Sequence, residues 1–402
     1  WLTMKCSKIA NCCNTQNVGG NLKDSINEEL YTMKKFIVTL LFTGILGQII
    51  FAQNNGDGVN LSSVDYFFKI TKELNSGLEP SEDEWKTLFE TSGYKISVTS
   101  DWSENVIRDM AIFAFVPGYQ HHRDSILKIS IVDNMDDYSK VFSKLTLINF
   151  MDMKKNLAEL ENFRNSYDFN TLKEASKERL KSFLRNPVDS LVVFPSVNLL
   201  CQEADAQSKS KGIVMDFNLF FKQVPTNENV DFLAHEMFHT YRRHFINEKF
   251  VKSNNLMKQI DILENEGIAN MIDKTLNSQI QKLIILGYPQ SIVDLYDSTY
   301  KNTPTKLQAM DSITCSFIRK EISEEEFDKR FKGFCILGGH PNSLYMTDII
   351  KKAGLKDELI TNFYRPVHFI KIYNRAANKE GTFVFSNEFV HYLEELELKY
   401  AD

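Results

Sequence analysis

The stretch AHEMFHT, residues 234–240, lies inside ENVDFLAHEMFHTYRRHF, where Phe232, Leu233, Met237 and Phe238 flank the polar His235, Glu236 and His239. The reading of this stretch decides the fold around it. Its apolar spacing predicts a helix from about Asn229 to Phe245, opened by PTNEN at 225–229, which breaks the preceding run and supplies capping residues. On a helix, residues four apart share a face, so His235 and His239 can point at one ion. Two imidazoles and a carboxylate suit Zn2+ and leave a position open for water. Such an ion acidifies water and polarises a carbonyl, while Glu236 beside it takes the proton and later passes it to a leaving amine. With 8 His in 402 residues, HExxH arises by chance in roughly one such chain per hundred. The competing reading is a partly exposed polar helix face continued by Tyr241, Arg242, Arg243 and His244.

The third ligand must come from elsewhere. A metzincin would need Gly at 242 and His at 245, where this chain has Arg242 and Phe245. Cys201, in LLCQEAD, reads as a core residue. DILENEGIANMID, residues 261–273, is predicted to be a helix carrying Glu264 and Glu266. Two residues on a helix turn through about 200°, so only one of these carboxylates can face the metal.

The segment NEGIA, Asn265 to Ala269, resembles the NEGxA-type segment that supplies the glutamate ligand in gluzincins, the thermolysin and aminopeptidase-like clan. That resemblance implies Glu266 as the ligand and Glu264 as an outer or solvent-facing residue. The 26 residues between His239 and Glu266 exceed the aminopeptidase spacing. Asn270 and Asp273, one and two turns on, are candidate partners for a ligand imidazole. GGHPNSLYMTDII, residues 338–350, sets His340 and Tyr345 behind a Gly-rich turn. Because gluzincins use a downstream Tyr or His to stabilise the oxyanion, the resemblance implies Tyr345 first and His340 second. GIVMDFNLFF (212–221) reads as one strand, either a cleft edge of the kind the clan pairs with an extended substrate or a plain core strand. Over residues 190–350 the combination is similar to uncharacterised bacterial families of zinc-dependent proteases.

The remaining histidines read as bystanders: His244 as surface, His368 and His391 as structural, and His121-His122 as a loop pair. Outward from the motif, DSLVVFPSVNLL (189–200) is a second strand run, and QEADAQSKSK between the runs is a polar loop. The long amphipathic stretches at 137–169 and 171–184, and the capping boxes at 81–85 and 323–327, predict a mostly helical chain. The expected class is therefore α+β, predominantly α-helical: a zincin-like catalytic region with a small β-sheet beside the HExxH helix.

Composition bounds the rest. The chain is 43% hydrophobic and 25% charged, with a net charge of −6. Without a basic block it lacks the concentrated positive surface that phosphate binding needs, so nucleic acid is excluded as a partner. MKKFIVTLLFTGILGQIIFAQ, from Met33, has the charged, apolar and small-residue regions of a signal peptide, and its 16-residue apolar run is short for a membrane span. The expected layout is a leader at 1–32, a signal peptide at 33–52, a helical region at 53–186 and the metallopeptidase region at 187–402. Export to the periplasm or medium would leave no stable membrane span. Downstream of residue 52 the net charge is −8, with three cysteines: Cys201, Cys315 and Cys335. At most one internal disulfide can form, so the core must supply the stability. The expected activity is zinc-dependent hydrolysis of a peptide or protein substrate. Its rivals are a secreted interaction protein with an inactive HExxH helix and a zinc hydrolase of non-peptide amides.

Overall fold

The computed structural model describes residues 58–98, 100–134, 137–185 and 194–400, and their helices surround one four-stranded sheet. The leader and signal peptide read at 1–52 lie outside the described residues. The predominantly helical α+β class is what the chain adopts.

The strands are β1 (Val59–Asn60), β2 (Val197–Leu200), β3 (Ala206–Lys209) and β4 (Gly212–Asp216), in the order β1-β2-β4-β3. β1, β2 and β4 run parallel, and β3 is antiparallel on the edge beside β4. VNLL and GIVMD are buried throughout. Inner parallel strands are covered on both faces, so an unbroken apolar run suits them better than alternation.

Two expectations fail here, for local reasons. GIVMDFNLFF is not one strand, because Asp216 accepts a hydrogen bond from the Leu219 amide and caps a helix over Phe217–Gln223. The capping carboxylate turns the chain, and the aromatic run packs with Phe163, Tyr167 and Phe169 instead. β4 is thus an inner core strand. The segment read as a polar loop supplies the edge strand β3, whose polar side chains a one-neighbour position tolerates.

The N-terminal half is helical as expected, including the Ser81–Glu84 capping box ahead of Glu82–Phe89. The amphipathic run at 137–169 is broken at Asn156 into Tyr138–Lys155 and Leu157–Ser166. The histidine pair read as a loop lies in a helix, Gln120–Leu127. The segments on either side of residue 187 are not separate bodies. β1 pairs with β2, one apolar cluster joins Phe67 and Phe150 to Met215 and Phe238, and Asn149 bonds Asp216 and the Gln202 carbonyl. Cys201, Cys315 and Cys335 are free thiols.

Three helices position the candidate site: the motif helix Glu228–Arg243, the glutamate helix Asn255–Asp273 and the cap helix His340–Lys352. The last two pack so closely that a Cβ on Gly267 would sit 2.7 Å from Thr347 Cγ2. Glycine at the centre of NEGIA is therefore a packing requirement. Gly339, at φ +81°, starts the cap helix where a side chain would strike Ile262.

Candidate metal centre

His235 and His239 lie one turn apart on the motif helix with ring centroids 4.8 Å apart. The glutamate helix crosses them and presents Glu266, whose two carboxylate oxygens lie 3.6 Å from His235 Nε2 and 3.6 Å from His239 Nε2. One ligand atom from each residue falls within 4.8 Å of the others. Tetrahedral zinc donors at about 2.1 Å would be about 3.4 Å apart, so these side chains already stand at nearly the right separation.

The second nitrogen of each ring is occupied. His235 Nδ1 is 2.9 Å from Asp273 Oδ1, and His239 Nδ1 is 3.0 Å from Asn265 Oδ1. A carboxylate or amide oxygen can only accept, so each Nδ1 donates and each Nε2 is left turned toward Glu266. Glu266 Oε2 is buried without a hydrogen-bond partner. An orphan carboxylate oxygen beside two oriented imidazoles fits a divalent cation with nitrogen and oxygen ligands, zinc above all.

The electrostatics follow from burial and neighbours. Burial and the Lys274 ammonium oppose charging of His235, but Asp273 and, after it, Glu266 outweigh them and lift it to about 9. Burial pushes His239 down to about 4 and His340 down to about 3, leaving both neutral. Burial pushes the Glu236 carboxyl up to about 7, with the His235 charge opposing it. Glu236 is 5% exposed, lines the cleft and has no hydrogen-bond partner among the described residues.

The cleft holds about 420 Å³ and is bounded by the motif helix, β3, Glu266, Lys274 and His340. Another cleft, of about 500 Å³, lies at Trp85 and Arg108 in the N-terminal helices, away from any cluster of metal-ligating groups among the described residues. β3 is tied to the motif helix by Ser208 Oγ to Thr240 Oγ1 at 2.7 Å and by Arg243 Nη2 donating to Ser208 O at 3.0 Å. Its register opposes Asp205 to Asp216, whose amide donates to the Asp205 carbonyl. The backbone groups of Ala206 and Ser208 consequently face away from β4, toward the cleft.

The structure brings His235, Glu236, His239, Glu266 and Asp273 together and leaves Tyr345 out. Tyr345 bonds Thr382 through its hydroxyl and packs on Tyr300. Five residues after His340 on one helix, it is about 140° around the axis from it, so the two cannot share a face. His340 is the one in the cleft, with Nδ1 3.2 Å from Glu266 Oε2 and 3.1 Å from Asn270 Oδ1. Asn270 therefore holds His340 rather than a motif imidazole. The partner of His239, Asn265, was visible as the first letter of NEGIA.

Glu264 is not outward-facing. It is 0% exposed and paired with Arg242, itself 2% exposed, which also lies 2.7 Å from Asp261 and donates to the Phe363 carbonyl. Those carboxylates draw Arg242 inward, whereas His244 stays on the surface as expected. His368 is half-buried beside Glu358, and His391, expected to be structural, is 72% exposed between Glu394 and Glu395.

Against known proteins, a family model described as "Putative zinc dependent peptidase (DUF5700)" matches residues 85–382. No curated protein and no solved structure matches the chain.

Proposed function

The chain belongs to the DUF5700 family of zinc-dependent peptidases, and from that premise we propose a gluzincin-like enzyme that hydrolyses peptide bonds with His235, His239 and Glu266 as zinc ligands. The observation that carries this reading is the Glu266 carboxylate, one oxygen toward each motif imidazole and one of them buried without a hydrogen bond, facing rings whose Nδ1 atoms are already committed. Zinc held there would supply the Lewis acidity that lets water attack an amide carbonyl at neutral pH.

The chain's own residues do the rest. Asp273 and Asn265 orient the ligand rings and keep Nε2 available. Glu236, at the cleft wall, takes a proton from the attacking water and returns it to the leaving nitrogen. His340 lines the same cleft, but its bond to Asn270 commits the one proton of the neutral ring, so it has none at Nε2 for the oxyanion role first expected of Tyr345. The edge of β3 supports a peptide substrate over a small amide, since the Ala206 backbone groups and the Ser208 amide remain for an extended chain, while the Ser208 carbonyl already accepts from Arg243. The signal-like segment at 33–52 supports export, which N-terminal sequencing of the secreted or periplasmic form would test.

The experiment compares wild-type and Glu236→Gln proteins for zinc content and for cleavage of an unstructured peptide library. Stoichiometric zinc in both, with cleavage lost only in the variant, is expected. Cleavage that survives the substitution, or wild-type protein that takes up no zinc, would overturn the assignment.

A further inference from the structure

The cleft carries more charge than hydrolysis requires. Arg243 lies four residues past His239 on the motif helix and so faces the same cleft one turn further along. At 1.5 Å per residue it sits about 9 Å from the midpoint of the two motif histidines, the span of two to three residues of an extended peptide. Its Nη2 is fixed on Ser208 O at 3.0 Å, which sets the guanidinium beside Lys209, the exposed last residue of β3 and also part of the cleft.

Neither cation has a carboxylate within ion-pairing distance among the described residues, in a chain with 53 acidic residues against 47 basic ones. Their neighbours differ. Arg242 is buried against Glu264 and Asp261, and Lys274, at the far end of the cleft, lies 3.7 Å from Asp273. A guanidinium held through Nη2 alone, on Ser208 O and more loosely on Ser208 Oγ, keeps its Nε and Nη1 groups for a planar anion at little further entropic cost.

Resting on the peptidase reading, we propose that Arg243 and Lys209 form a carboxylate-recognising subsite two to three residues from the scissile bond. The substrates are then peptides with an acidic side chain, or the chain's terminal carboxylate, at that place. An acidic side chain can reach the pair whichever way the peptide runs along β3. A terminal carboxylate can do so only if the peptide runs parallel to β3, because β3 proceeds toward Lys209.

The test measures binding rather than turnover, using zinc-loaded Glu236→Gln protein and fluorescein-labelled, alanine-rich decapeptides. One Glu or Gln is moved along the sequence, and each peptide is made with a free or an amidated C-terminus. Glu should tighten binding tenfold or more over Gln at one position only, and added salt should erase the difference. If amidation removes the gain and an internal Glu gives none, the carboxylate is the terminal one. Lys209→Glu, at an exposed and unpaired position, should abolish the preference and favour a Lys peptide; Arg243→Gln should also abolish it. Glu and Gln peptides binding within twofold at every position, with no effect of amidation, overturns the subsite and leaves the peptidase reading standing. Persistence of the preference in Lys209→Glu also overturns it. Failure of every peptide to bind the zinc-loaded protein overturns both.

Discussion

Glu264 and Glu266 stand two residues apart on one helix and face two different cations. On the inner side, Glu264 meets Arg242, a permanent charge supplied by the motif helix. On the cleft side, Glu266 meets His235, His239 and His340, rings that are cationic only when protonated, and keeps a buried oxygen without a hydrogen bond. The same two helices are thus clamped by an ion cluster on one face and carry on the other a set of donors that could hold a metal ion. Locking the scaffold with one set of charges leaves the adjacent set free to hold donors at ligand spacing without collapsing on each other. Charge removal should therefore stop chemistry or metal binding on the cleft face and unfold the protein on the inner face.

The largest expected effect is on the cleft face. Glu236→Gln should lower kcat about 10²–10⁴-fold with zinc content and melting temperature unchanged, as steady-state kinetics beside elemental analysis would show. On the inner face, Arg242→Met strands Glu264 and Asp261, and should remove about 3–5 kcal/mol of stability, or roughly 10 °C of Tm. A thermal melt of the metal-free variant that matches wild type would break the comparison, since the ion cluster would then not be what docks the helices.

Between the two faces stand the residues that orient the candidate ligands. Asp273→Asn and Asn265→Ala should each weaken zinc binding about 10–100-fold, read by titration against a chelator of known affinity. The closeness of the glutamate and cap helices can be probed separately. Gly267→Ala should cost about 1–3 kcal/mol through overpacking against Thr347. Thr347→Ser, which removes the obstructing methyl, should recover part of that loss in a denaturant titration.

Asp216 is a third kind of carboxylate, held by backbone amides and Asn149 and pushed up to about 7 by burial. Its folded value exceeds the unfolded one of about 3.9, so between about pH 4 and pH 7 the folded chain keeps a proton that the unfolded chain has lost. This group's contribution to stability should therefore fall as pH rises through that window, by at most about 1.4 kcal/mol per pH unit. Asp216→Asn keeps an acceptor for only one of the Leu219 and Gln202 amides, so it should lower stability overall and flatten the pH profile of chemical denaturation.

Much of the centre was legible because helical periodicity is a local property. HExxH puts two imidazoles and a carboxylate on neighbouring positions of one turn wherever the helix goes, and NEGIA narrows the third ligand by resemblance. The mostly helical class and the Ser81 box follow from the same short-range rules. Strand assignment failed where one cap outweighed propensity: a single carboxylate at Asp216 turned an apolar run into a helix. A strand of Ala, Gln, Ser and Lys could not be recognised before its neighbour β4 was known.

By itself, then, the sequence determined which residues could bind a metal and which could move a proton, since donor chemistry and helical spacing travel with the chain. Only the tertiary structure decided that Glu264 points inward to Arg242, that His340 rather than Tyr345 faces the cleft, and that Arg243 and Lys209 meet at its end. Those outcomes depend on how whole helices are rotated against one another, and that rotation is set by contacts between residues tens of positions apart: Gly267 on Thr347, Arg242 on Glu264, and Ser208 on Arg243.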